Sequence, residues 1–109
     1  MRDNEHTNMF CIDCKSNLAD YASLTFGIYI CSECANTHVN FLGMSRSFVK
    51  SLFKEPWDEY EIKFMENGGN HPFMLFMHQY GIKCKVVYKK YGHKGCAWWS
   101  KRLRAIVDN

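Results

Sequence analysis

A small α+β fold is what the sequence predicts, and three observations predict it. Two Cys-x2-Cys pairs, Cys11/Cys14 and Cys31/Cys34, stand sixteen residues apart. β-prone runs fill the interval between them, and helical periodicity governs most of the chain beyond the second pair. The expected architecture is a short β-sheet at the four-cysteine site, packed against several α-helices. At 109 residues, with 47% apolar and 16% aromatic side chains, the chain suits one domain with a substantial core. The expected division is a single domain over 1–109, with a cysteine module over about 8–53 and a helical part over about 57–109.

Between the cysteine pairs, Tyr21 to Phe26 and Ile28 to Ile30 read as two strands separated by Gly27. From Ser32 the period changes. Cys31, Cys34, Ala35, His38, Phe41 and Leu42 recur at helical spacing, and Gly43 ends the helix. Ser47 to Phe53 alternates as a third strand. Pro56 and Asp58 introduce a helix with Asp58 as N-cap and Ile62 and Met65 inward, stopped by Gly68-Gly69. Asn70 is the expected cap of the next helix, which tolerates Pro72 in its first turn and stops at Gly81. The last helix is expected from Lys94 to Val107 with Cys96, Trp99, Leu103 and Ile106 on one face. Val86, Val87 and Tyr88, within Lys83 to Tyr91, fit either a strand or a helix. Trp98 and Trp99 cannot both face inward, because helical neighbours sit about 100° apart.

The cysteine pattern carries the strongest chemical signal. Two residues between cysteines let one tight turn aim both sulfurs at the same ion, and two such turns complete a tetrahedron. Cys11, Cys14, Cys31 and Cys34 are therefore the predicted ligands of one structural Zn2+, with no open position for catalysis. Disulfides or buried free thiols are the alternative reading of the same four residues. Cys84, Cys96 and His93 form a weaker, irregular set, better read as ordinary cysteines in the core. His38, on the helix face of Cys34, is expected to pack or hydrogen-bond beside the metal in a structural role.

The net charge of +3 conceals an asymmetry. Lys83, Lys85, Lys89, Lys90, Lys94, Lys101, Arg102 and Arg104 fall in a stretch without acids, while residues 1–82 carry a net of −4. A basic end on an acidic body suits phosphates, an anionic membrane surface or an acidic partner, or is a solvated helix face. Neither a leader-like apolar segment at Met1 nor a run of about 18 apolar residues is present, so a soluble, cytoplasmic protein is expected.

The sequence around the cysteines resembles the ArfGAP family, the GTPase-activating domains for Arf-type small GTPases, over nearly its whole length. The resemblance rests on Tyr21-Ala22-Ser23 after the first pair and Gly27-Ile28-Tyr29-Ile30 before the second. It continues through His38, Leu42-Gly43, Ser47-Phe48-Val49-Lys50-Ser51-Leu52 and Trp57. Ile62-Lys63-Phe64-Met65, Gly68-Gly69-Asn70 and the closing Ser100 to Val107 complete it. Tyr21 stands where the family usually has tryptophan.

The resemblance implies a zinc-stabilised domain that docks on a GTP-bound Arf-type GTPase and speeds its hydrolysis, regulating another protein's reaction without catalytic machinery of its own. It also implies vesicle trafficking and recruitment to Golgi or vesicle membranes. In the family an arginine follows the histidine after the fourth cysteine and acts as an arginine finger. Here that position is Val39, and Val39-Asn40-Phe41 holds one residue more than the family has before Leu42-Gly43. Valine has neither charge nor donor, so activation is expected to be weak or lost; Arg46 is the nearest substitute cation. A nucleic-acid-binding finger of GATA-like spacing is the alternative. Against it, Tyr21 to Ile30 and Ser32 to Leu42 contain no basic residue to reach phosphates or base edges.

Overall fold

The computed structural model describes residues 1–109. Two 3-10 turns, Arg2–Asn4 and His6–Met9, lead into the first cysteine pair. Strands β1 (Tyr21–Ser23) and β2 (Ile28–Ile30) come next, then helix α1 (Ser32–Phe41) and strand β3 (Val49–Ser51). Helices α2 (Glu59–Asn67), α3 (Asn70–Gln79), α4 (Val87–Tyr91) and α5 (Lys94–Asp108) complete the chain. The sheet is antiparallel in the order β2-β1-β3, pairing Ala22 with Tyr29 on one side and Lys50 on the other.

Both faces of this sheet are covered, so its strands read as near-continuous buried runs. Ala22 and Tyr29 point into a cluster with Phe64 and Met65 of α2 and Leu103 and Val107 of α5. Ile28, Ile30 and Val49 point the other way, into a cluster with Phe26, Phe73, Tyr91 and Trp99. Trp99 fixes α5 against the hairpin loop by donating its indole N–H to the Phe26 carbonyl at 2.8 Å. The loop itself makes a backbone-to-backbone approach. A Cβ on Gly68 would lie 2.8 Å from the Gly27 Cα, and Gly69 N–H donates to the Gly27 carbonyl at 2.7 Å. Neither Gly27, at φ +66°, nor Gly68 has room for a side chain.

Several boundaries differ from those expected. The first strand ends at Ser23 and not Phe26, because Gly27 N–H turns back to the Leu24 carbonyl at 3.1 Å. The third strand shrinks from 47–53 to Val49–Ser51. Ser51 N–H is taken by the Glu55 carboxylate at 2.7 Å and the Ser51 carbonyl by the Trp57 indole at 2.9 Å. Asp58 does cap α2, in a reciprocal box with Glu61. Met65 faces inward as expected, but Ile62 is only half-buried and Phe64 fills the core in its place.

Gly69, not Asn70, is the cap of α3; Asn70 is the first helical residue, and its amide closes the sheet edge. Its Oδ1 accepts Tyr29 N–H at 2.7 Å, while its Nδ2 donates to the Phe10 carbonyl at 2.9 Å. Asn8 Oδ1 accepts Asn70 N–H at 2.9 Å and supplies the missing cap from the amino-terminal turn. The open segment 83–91 resolves into helix over Val87–Tyr91. On α5, Val107 faces inward in place of the expected Ile106, since it lies four residues beyond Leu103 and keeps the helical phase; Ile106 is 39% exposed.

Candidate metal centre

Each cysteine pair forms a tight turn held by an N–H···S bond. Cys14 N–H donates to Cys11 Sγ and Cys34 N–H to Cys31 Sγ, both at 3.5 Å. The second turn doubles as the start of α1, with Cys31 as its N-cap. The first turn is closed by Lys15 N–H on the Cys11 carbonyl at 2.9 Å, which places Lys15 at φ +61°. Asn17 Nδ2 adds a third N–H···S contact, to Cys31 at 3.6 Å.

These turns bring the four sulfurs within 4.8 Å of one another. Cys14 and Cys31 Sγ are 3.8 Å apart. A tetrahedron of metal–sulfur bonds near 2.3 Å has edges of about 3.8 Å, whereas a disulfide needs about 2.05 Å. The disulfide alternative is therefore overturned, and the donor set fits a tetrahedral thiophilic cation. Thiol acidity agrees. Burial pushes Cys11 up to about 11 and raises Cys34 further, with the neighbouring Cys11 sulfur adding to the rise. At Cys14 burial is outweighed by the backbone N–H groups of Asn17 and Ser16, which bring it down to about 7. Cys11 and Cys34 ionise together only with positive charge beside them.

Beside the sulfurs lies a buried polar chain that no spacing announces beyond His38 itself. His38 is fully buried; its Nε2 donates to Asp13 Oδ2 at 2.8 Å, and its Nδ1 meets Ser47 Oγ at 2.8 Å. Ser47 continues to Ser23 Oγ at 2.7 Å. On its other oxygen Asp13 accepts Lys90 Nζ at 2.7 Å and Tyr91 OH at 2.6 Å. Burial alone would raise the Asp13 carboxyl, but the His38 hydrogen bond and the Lys90 charge hold it down at about 2. Burial and the same carboxylate raise Tyr91 well above the ordinary phenol. The first cysteine turn, α1, α4 and the sheet are thus joined through one carboxylate.

Val39, next to His38, is 40% exposed. Arg46 is exposed and makes no ion pair; a Cβ on Gly92 would lie 3.6 Å from its Nη2, at the end of α4. Cys84, Cys96 and His93 do not converge. Cys84 is exposed, Cys96 donates its thiol to the Lys90 carbonyl at 3.2 Å, and His93 caps α5 by accepting Gly95 N–H at 3.0 Å.

Sulfur turns that launch a helix and pin a three-stranded sheet place the protein among small α+β domains of the cysteine-finger class. Within that class the assignment is specific. The chain belongs to the ArfGap family, described as "Putative GTPase activating protein for Arf", whose pattern matches residues 1–102. It is 30% identical over 103 residues to ADP-ribosylation factor GTPase-activating protein 3 of Bos taurus, covering 94% of this chain and 20% of that protein. It is also 30% identical to ADP-ribosylation factor GTPase-activating protein GCS1 of Saccharomyces cerevisiae, over 94% of this chain and 29% of the other. The chain thus spans about a fifth to a third of the length of these curated relatives. Among solved structures, a "putative GTPase activating protein for ADP ribosylation factor" from Cryptosporidium parvum superposes with a TM-score of 0.73 at 25% identity, over 96% of this chain and 81% of that one.

Proposed function

We propose that the chain binds an Arf-type small GTPase in its GTP-bound state, and that it stimulates hydrolysis weakly or not at all. Membership of the ArfGap family supports the partner class. The observation that carries the second half is residue 39. The helix bearing it is tied to Cys31 and Cys34 at its start and to Asp13 through His38. A side chain at 39 is therefore held on a firm support and turned outward, as a group that must reach into a partner's site requires. Valine supplies nothing there. An arginine finger is worth about 10³–10⁵ in rate, or roughly 4–7 kcal/mol of barrier, and an apolar side chain recovers none of it.

Cys11, Cys14, Cys31 and Cys34 are proposed to hold one Zn2+, which when bound would supply structural charge and no open coordination position. The chain's own residues then do the positioning: His38 orients α1, and Asp13 holds His38, Lys90 and Tyr91. A cytoplasmic setting, with recruitment to Golgi or vesicle membranes, goes with this reading.

Single-turnover GTP hydrolysis by Arf-type GTPases, with and without the domain, tests the proposal beside a Val39→Arg variant. The unaltered domain is expected to give less than about tenfold stimulation, against about 10³–10⁵ for an arginine-bearing activator. Binding to the same GTPase loaded with a non-hydrolysable GTP analogue is expected to persist. Strong stimulation by the unaltered domain that is lost in Arg46→Ala would move the finger to Arg46 and sink the argument from Val39.

A further inference from the structure

We propose that Tyr80, Lys94, Trp98, Arg102 and Ile106 form a face that docks the domain on an anionic lipid surface. The inference is independent of whether hydrolysis is stimulated. No aspartate or glutamate occurs between Glu66 and Asp108, a span that covers α3, α4 and nearly all of α5. The fold sorts the basic residues of that span into two groups. Lys90 is neutralised by Asp13, Arg104 pairs with Asp108, and Lys101 and Arg104 line a groove that also holds Asp58 and Glu61. Lys94 and Arg102 on α5, like Lys83, Lys85 and Lys89 before it, have no carboxylate partner.

On α5 these two cations alternate with apolar groups. Lys94, Trp98, Arg102 and Ile106 recur every fourth residue and so make one stripe along the helix. Trp98 is 50% exposed, and α3 sets Tyr80, 55% exposed, beside it. The indoles of Trp57 and Trp99 donate to backbone carbonyls, whereas the Trp98 N–H and the Tyr80 hydroxyl have no partner in the chain. Apolar rings with free polar tips, flanked by cations, are what the headgroup layer of a bilayer accepts. No helix is long and apolar enough to cross a membrane, so the contact is peripheral.

Ring geometry favours lipid over nucleic acid. Phe76 stacks on Trp98 at 5.5 Å and 13°, Tyr80 lies next at 6.4 Å and 29°, and the Arg102 guanidinium lies over the indole at 5.9 Å. Phe76 and Arg102 therefore occupy part of the Trp98 ring face, while half of the side chain stays open to solvent. A nucleotide base needs an open aromatic face to stack on, while an interfacial anchor needs only an edge.

The test is co-sedimentation of the metal-loaded chain with vesicles of phosphatidylcholine alone or with about 30% phosphatidylserine, the anionic lipid of the cytoplasmic leaflet. Binding is expected only to the anionic vesicles, with a blue shift in tryptophan emission that Trp98→Phe abolishes. Lys94→Ala/Arg102→Ala is expected to weaken binding about 25-fold, from about fivefold per cation. Lys101→Ala/Arg104→Ala removes the same charge from the groove shared with Asp58 and Glu61 and is expected to weaken it less than about threefold. Metal content and thermal midpoint confirm that each variant is folded. Equal losses in the two double variants, equal binding to neutral vesicles, or binding to a single-stranded RNA oligonucleotide but not to vesicles would each overturn the assignment.

Discussion

His38 and Asp13 meet at 2.8 Å in the interior and tie the helix leaving the second cysteine pair to the turn containing the first. Removing the imidazole leaves one Asp13 oxygen without a partner and Ser47 with Ser23 alone, while Lys90 and Tyr91 still hold the other oxygen. His38→Ala is therefore expected to cost about 2–3 kcal/mol, between one lost buried hydrogen bond and a broken buried ion pair. A urea titration should show a lower midpoint with an unchanged slope. A loss under about 0.5 kcal/mol would mean the chain of hydrogen bonds contributes little to folding.

Metal removal should be more drastic. Structural zinc in finger peptides contributes roughly 10–16 kcal/mol, as much as the whole stability of a typical domain at about 5–15 kcal/mol. A strong chelator, or Cys11→Ser, is expected to abolish the near-UV circular dichroism of the packed aromatics. Elemental analysis of the untreated chain should give one equivalent of zinc; a folded chelated chain would refute the centre.

Lys15 is a non-glycine residue at φ +61°, directly after the first cysteine pair. The left-handed conformation costs an L-residue about 1–2 kcal/mol, which glycine escapes at the cost of a more flexible unfolded chain. Lys15→Gly should raise stability by about 0.5–1 kcal/mol, read as a higher thermal midpoint at saturating metal. A lower midpoint would show that the lysine stem contributes packing that outweighs the backbone strain.

Asn70 is almost completely buried and serves backbone groups from three segments through one amide. Asn70→Ala would orphan Tyr29 N–H and the Phe10 carbonyl, at about 1–3 kcal/mol for each buried group left unpaired. The expected total is roughly 2–4 kcal/mol, together with faster hydrogen exchange at Tyr29. Slow exchange at Tyr29 in a folded variant would show that another acceptor replaces the amide.

Local features are the ones legible in the sequence. A two-residue gap between cysteines dictates a tight turn, and Asp58 three residues before Glu61 dictates a capping box. Strand ends are not legible, because partners far along the chain or beyond the next turn set them: β3 stops where Glu55 and Trp57 claim the Ser51 backbone. Asn70 has the sequence position of a cap, and only the return of Asn8 shows why it need not be one. Ile106 and Val107 are both apolar and adjacent, and which faces inward depends on the phase set at Leu103. Of the polar chain, His38 is foreseeable from its spacing to Cys34. Asp13, Ser23, Ser47 and Lys90 are not, since their residue types are ordinary on a surface.

The span of the Asn70 contacts bears on how the chain acquires its shape. The sulfur pair Cys14 and Cys31 closes a loop of 17 residues, whereas Asn70 reaches back 41 residues to Tyr29 and 62 to Asn8. Longer loops cost more entropy to close, so the sulfur turns can assemble while the later helices are still being synthesised. Until residue 70 emerges, the Tyr29 N–H on the outer edge of β2 lacks its acceptor and is able to bond to another chain. Exposure to aggregation during synthesis is therefore greatest in that interval, and early metal capture shortens the list of wrong partners.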